Sequence, residues 1–175
     1  PYQLVATPTI KSAAELKGKI VGSSRIGAGS DFLLRRLLAK LGLTPGKDVS
    51  LIPTGISESE KRIVLMFQGK IDATLGEADK VFQFVELKGQ KMSVLGDVRD
   101  FGVAPPGSEL TTTRQILKDQ RPRLKQFFLA YSEAIVLGRR NKEFAYQAFR
   151  KYMKIDEPRL LDFTYKVQFV EAIPL

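Results

Sequence analysis

From Lys19 to Leu95, short apolar runs alternate with segments whose apolar residues return at helical spacing. Runs this short, bounded by glycine or polar residues, read as buried strands, and the periodic segments read as amphipathic helices. The pattern predicts strands over Lys19 to Ser23, Val49 to Pro53, Ile71 to Leu75 and Met92 to Leu95. Between them it predicts a helix carrying Phe32, Leu33, Leu37, Leu38 and Leu41 and stopped by Gly42. A second helix runs through Ile63, Val64, Met66 and Phe67 to Gly69, capped by Ser57 or Ser59, and a shorter third carries Val81, Phe82 and Val85 to Gly89. This rhythm is that of βαβ units about a mainly parallel sheet, an α/β fold.

The style changes near residue 100. Ala104-Pro105-Pro106-Gly107-Ser108 stops any regular element, and almost everything beyond is helical. One helix starts near Thr112 or Thr113, a longer one follows Pro122, a third opens at Asn141, and Pro158 occupies the first turn of a fourth. The aromatic residues of this half, among them Phe127, Phe128 and Tyr131, follow the helical period and are expected in the core. The chain shows no internal repeat and no low-complexity segment.

In an open parallel sheet the C-terminal strand ends share one edge, and ligands bind there. Three successive strand ends carry small or polar residues: Ser24 to Gly29, Thr54-Gly55, and Gly76-Glu77. The first is a glycine-rich loop leading into a helix, with Ser30 as the expected N-cap and Asp31 favouring the positive helix end. Gly27-Ala28-Gly29 lacks the third glycine of a dinucleotide fingerprint, Phe32 standing in its place, and no Gly-Lys-Ser/Thr closes a phosphate loop. What remains is a helix N-terminus with hydroxyls at Ser24 and Ser30 and the guanidinium of Arg25, suited to an anion or a carbonyl oxygen; an ordinary tight turn fits the loop equally well. Glu77 could accept from a ligand amine or hydroxyl, or pair with Arg25. The carboxylates of Glu58-Ser59-Glu60 sit at a helix start, and those of Asp97 to Asp100 on a surface turn, both structural placements.

Composition narrows the chemistry. The 175 residues contain neither Cys nor His, which removes disulfides, thiolate metal sites, cysteine nucleophiles and the usual general base. No catalytic, metal or cofactor residue is assigned. A net charge of +9 favours anionic partners, but its Lys and Arg are spread along the chain. The local clusters Arg35-Arg36, Arg121 to Lys125, Arg139-Arg140 and Arg150-Lys151 read as solvated helix faces. No apolar run is long enough to cross a membrane as a helix. The opening Pro1-Tyr2-Gln3-Leu4-Val5 has no initiator Met and no signal pattern, as expected of a processed or trimmed piece.

Several pieces in order carry a resemblance: Ile10-Lys11-Ser12 with Glu15-Leu16-Lys17-Gly18-Lys19, Leu41-Gly42-Leu43, Asp48-Val49, and Gln68-Gly69-Lys70-Ile71-Asp72-Ala73. Together they resemble the second half of a periplasmic solute-binding protein of the SsuA/THI5-like, or NMT1-like, family. The match is close to about residue 100 and looser over the helices. The resemblance implies a type II periplasmic binding fold in which residues 1–103 form the second, ligand-binding lobe with its hinge strands. Residues 104–175 would be a mainly helical region belonging to or packing on a first lobe, most of which lies outside this chain. Leu4-Val5-Ala6 would cross between lobes and Phe101-Gly102-Val103 would be the returning strand. It also implies the extracytoplasmic binding component of an ABC importer, periplasmic, with a membrane permease as partner. The ligand, a small polar or anionic organic solute of the sulfonate, nitrate or pyrimidine class, would face Ser24, Arg25, Gly27, Ser30, Thr54, Gly55, Gly76 and Glu77. Two other classes stay open: an enzyme of cofactor-precursor biosynthesis on the same fold, and a basic nucleic-acid-binding module. The absence of His and Cys weighs against the first, and the dispersed charge against the second.

Overall fold

The computed structural model describes residues 2–103 and 110–171. They fall into two compact units, residues 1–107 and 108–175. The Ala104 to Ser108 breaker lies outside the described residues.

The first unit is built on a five-stranded sheet of order β3-β2-β4-β1-β5. Its strands are β1 (Tyr2–Ala6), β2 (Ile20–Ser23), β3 (Ser50–Pro53), β4 (Ala73–Glu77) and β5 (Ser93–Asp97). β2 pairs in parallel with β3 and β4, while β1 lies antiparallel between β4 and β5. Four strands therefore run one way, as the alternating pattern requires, and one inserted strand opposes them. β3 is an edge strand, which accommodates Pro53 because one of its sides needs no ladder donor.

Side-chain alternation assigns the two faces. Leu4, Ala6, Ala73 and Leu75 join Val21 under helix α1 (Gly29–Lys40), whose Leu33, Leu34, Leu37 and Leu38 are all buried. The intervening Val5 faces α2 (Ser59–Phe67) and α3 (Ala78–Phe82), packing with Ile63, Met66, Ile71, Val81 and Phe84. Helices thus cover both faces of one sheet. Phe32, part of the predicted apolar stripe, instead stands 54% exposed, its place inside taken by Leu34.

Local chemistry corrects several expectations. Helix α1 is capped not by Ser30 but at Ala28: the Gly27 N–H donates to the Asp31 Oδ2 at 3.1 Å, a carboxylate in the first turn reaching back as in a capping box. Ser30 is left to bond the Ser24 hydroxyl at 2.5 Å. Neither serine caps α2; its N-cap is Glu58, and the Ser59 hydroxyl donates to Glu77 Oε2 at 3.2 Å. Phe101-Gly102-Val103 is not a strand. Gly102, at φ +67°, turns the chain so that the Val103 N–H reaches the Val98 carbonyl at 3.1 Å.

The second unit contains α4 (Arg114–Asp119), α5 (Arg121–Arg140), α6 (Lys142–Ala148) and α7 (Pro158–Tyr165). Its starts follow the sequence: Thr113 accepts from the Ile116 N–H, Asn141 from the Phe144 N–H, and Glu157 from the Leu160 N–H ahead of Pro158. Lys142 pairs with Asp162 at 2.5 Å and the Tyr146 hydroxyl bonds the same carboxylate, clasping α6 to α7. The expected aromatic core is not observed along α5, where Phe127 and Phe128 are each 48% exposed and Tyr131 is 42% exposed. Among the described residues of this unit the buried aromatic is Phe149, and Ala145, Ile155, Leu160, Leu161 and Val167 are buried as well.

Candidate functional site

The ends of β2, β3 and β4 point to one edge of the first unit's sheet, and the direction of β1 adds Tyr2 there, opposite Glu77 in the ladder. The loop after β2 is held from below. Ser23 and Ser24 are buried, and Asp31, also buried, accepts from the Gly27 N–H and from Arg35 Nε at 3.0 Å. Burial alone would raise the Asp31 pKa, but the bonds from Arg35 and Gly27 outweigh it and hold the carboxyl below the usual 3.8. Its other oxygen, Oδ1, and the Ser23 hydroxyl lack a hydrogen bond of normal geometry. Asp31 therefore stabilises the fold above its unfolded pKa, and this contribution is lost as the pH falls through the lower folded value. In urea unfolding, the stability gap between wild type and Asp31→Asn is expected to narrow below about pH 4. A gap unchanged from pH 7 to pH 3 would contradict the pairing.

The second strand end is joined to the first by backbone. Thr54 donates to the Ser23 carbonyl through its N–H at 3.0 Å and its hydroxyl at 2.8 Å, and the Gly55 N–H reaches the Ser24 carbonyl at 3.3 Å. Gly55 sits at φ +74° and Gly27 at φ +76°, left-handed conformations that glycine adopts freely. Ser24, Ser30, Thr54 and Gly55 thus form one continuous wall, with Gly27 on the exposed crest of the loop.

The third strand end is chemically different. Gly76 is buried, close to Val81 and Ile63. Glu77 does not pair with Arg25; its partner is Ser59, whose Oγ also accepts from the Glu77 N–H at 3.3 Å. Burial, then the Glu77 charge, push the Tyr2 phenol above its ordinary 10. An open pocket of about 390 Å³ lies here, lined by Ser57, Glu58, Ser59, Glu60, Glu77 and Lys80. Lys61 pairs with Glu58 at 2.7 Å and Lys80 with Glu60 at 3.6 Å, so much of this acidity is internally balanced. Arg25 is exposed, and among the described residues no carboxylate lies within ion-pair distance of it. The edge is bipolar: cationic at the α1 loop, anionic at the start of α2. No group of His, Cys, Asp or Glu among the described residues is arranged to hold a metal ion.

One contributor escaped the sequence reading. Arg62, on α2, is only 1% exposed, with its guanidinium directed to Thr74 and Leu75 of β4 and to Ile56 and Ser57 of the preceding loop. A signal was available in Thr74, a polar residue set inside the apolar run Ala73 to Leu75 on the face that meets α2.

Comparison with solved structures supplies context for this edge. The chain is similar to the alkanesulfonate-binding protein SsuA from Xanthomonas axonopodis pv. citri bound to MOPS, with a TM-score of 0.67 at 19% identity, covering 94% of this chain and 54% of that one. It is similar also to the periplasmic aliphatic sulphonate binding protein SsuA from Escherichia coli, with a TM-score of 0.68 at 22% identity, covering 94% of this chain and 53% of that one. The chain therefore spans about half the length of these structures and shares the type II periplasmic binding fold with them. Comparison with curated protein sequences finds no match. The NMT1/THI5-like family pattern matches residues 2–139, most of the chain, and the protein belongs to that family.

Proposed function

We propose that this chain carries the second lobe of an extracytoplasmic solute-binding protein that delivers a small anionic organic solute to an ABC-type importer, without chemical change. The supporting observation is the edge itself: Ser24, Arg25, Gly27 and Ser30 on the α1 loop, Thr54 and Gly55 beside them, and Gly76 and Glu77 across β4. A sulfonate, carboxylate or phosphonate would sit against the α1 N-terminus, where helix N–H groups and the Arg25 fork favour oxygen anions. Glu77 and Ser59 would take a hydroxyl or amine at the other end of the ligand. The proteins of similar fold are described as sulfonate-binding and periplasmic, in keeping with this class and location.

The helical unit, in this reading, belongs to the first lobe or packs on it. Its support is the exposed apolar surface of α5, where Leu129 is 62% and Val136 47% exposed. The ligand would close the lobes about hinges near Leu4 to Ala6 and Leu95 to Val103, presenting the closed surface to the permease.

The test is thermal stabilisation of the full-length protein by ethanesulfonate, MOPS, acetate, nitrate and a pyrimidine. Stabilisation by at least one anion is expected, and none across the whole panel would overturn the reading. Arg25→Ala is expected to weaken anion binding at least about tenfold, because a charge-assisted bidentate contact is lost. Its melting temperature should stay near wild type, since the side chain is exposed. Calorimetric titration separates the two effects.

A further inference from the structure

Arg62 does more than fill space. The geometry points to Arg62 as the positioning residue of the ligand-facing edge, tying the β3–α2 loop to β4 and, through Thr74, to β2. This rests on the proposed binding role of that edge. Nη1 donates to the Ile56 carbonyl at 2.9 Å and to the Ser57 carbonyl at 2.7 Å. Nη2 donates to the Leu75 carbonyl at 3.1 Å, and Nε to the Thr74 hydroxyl at 3.2 Å. That hydroxyl in turn donates to the Gly22 carbonyl at 2.8 Å. All three strand ends of the site are therefore reached from one buried guanidinium. Ile56 and Ser57 directly follow Thr54-Gly55, Leu75 directly precedes Gly76-Glu77, and Gly22 lies two positions before Ser24.

The partners are the unusual part. Among the described residues no carboxylate forms an ion pair with Arg62; its four partners are three carbonyls and one hydroxyl. A fold that only needed to neutralise a buried charge would pair it with a carboxylate. Neutral acceptors drawn from two segments make it instead a bracket, because the planar fork fixes several directions at once where an ammonium fixes none. The segment from Gly55 to Glu58 is tied at its ends, by the Gly55 N–H on the Ser24 carbonyl and by Lys61 on Glu58, and between them the Ile56 and Ser57 carbonyls are held by Arg62. The Ile56 N–H has the Thr54 hydroxyl at 3.2 Å, while Gly55, Ser57 and Glu58 are exposed.

The experiment compares wild type, Arg62→Lys, which keeps the charge and loses the fork, and Arg62→Met, which loses both, in the full-length protein. Amide hydrogen exchange of peptides covering 54–58 is expected to quicken about tenfold or more in both variants, with β1 peptides near wild type. Ethanesulfonate affinity should fall at least about tenfold in both. Rescue of loop protection and affinity by Arg62→Lys would overturn the bracket role, as would a melting temperature lowered with 54–58 exchange unchanged. If neither variant folds, the wild type decides: a slowly exchanging Arg62 Nε–H resonance in nitrogen-15 spectra supports the bracket, and rapid exchange overturns it. Should wild type bind no anion of the panel, the functional reading fails, while the exchange arm still decides Arg62.

Discussion

Leu37→Ala is expected to remove about 3 kcal/mol from the unfolding free energy of the first unit, within the usual range for emptying a packed leucine site. Leu37 is fully buried between α1 and the sheet, among Leu33, Leu34 and Leu38. A helix pinned at its other turns cannot collapse into the gap, so lost contacts and residual cavity both count. The melting temperature should fall by roughly 10 °C or more for a domain of this size. Urea unfolding checks it: the midpoint should move without a change in slope. Affinity for a binding anion, measured well below the transition, should stay within about twofold, because Leu37 lies two turns along α1 from the loop. Loss of less than about 1 kcal/mol would mean that α1 does not pack as described.

Gly76→Val is expected to damage both the fold and the site. A Cβ at this position would lie 2.6 Å from Val81 Cγ2 and 3.2 Å from Ile63 Cδ1, so Val81 on α3 must shift and Ile63 on α2 must give a little. Overpacking of this kind costs about 1 to 3 kcal/mol. The motion has a direction, since α3 begins at Ala78, immediately after Glu77. Displacing that junction shifts the Glu77 carboxylate against Ser59, so ligand affinity should fall at least about tenfold. Gly76→Ala should show the same trend in milder form. Thermal unfolding and titration together provide the measurement, and wild-type affinity in a destabilised Gly76→Val protein would place the ligand away from the end of β4.

Local sequence carried the βαβ framework because each element announces itself within a few residues. Leu33, Leu37 and Leu38 mark the face of α1, and the turn Gln68-Gly69-Lys70 separates α2 from the start of β4. The strand ends of the candidate site followed from topology alone. What escaped depends on contacts between distant residues. Arg62 beside Lys61 looks like surface charge until Thr74, twelve positions away, places it inside. The partner of Glu77 is Ser59 at the start of α2, eighteen positions back in the chain, and not Arg25. Ser30 has the ordinary character of an N-cap, but the helix starts at Gly29 with Ala28 in that place, and the Asp31 carboxylate takes the Gly27 N–H instead. The returning strand at Phe101 failed because Gly102 reverses the chain within one turn. Along α5, helical periodicity identified an apolar face but could not say what covers it.

One detail of the sheet has a mechanical meaning. The chain joins the sheet at Tyr2 and leaves it at Asp97, and because β1 runs against both β4 and β5 these two points lie at the same end, on neighbouring strands. β1 is laddered on both sides, to β4 along one edge and to β5 along the other, so the strand that carries Glu77 and the strand that ends at Asp97 are held in register by the one between them. Tyr2 stands opposite Glu77 in the ladder, and Gln3, the next residue, stands opposite Asp97, so the backbone at this candidate ligand contact is two strands from the point where the chain leaves the sheet.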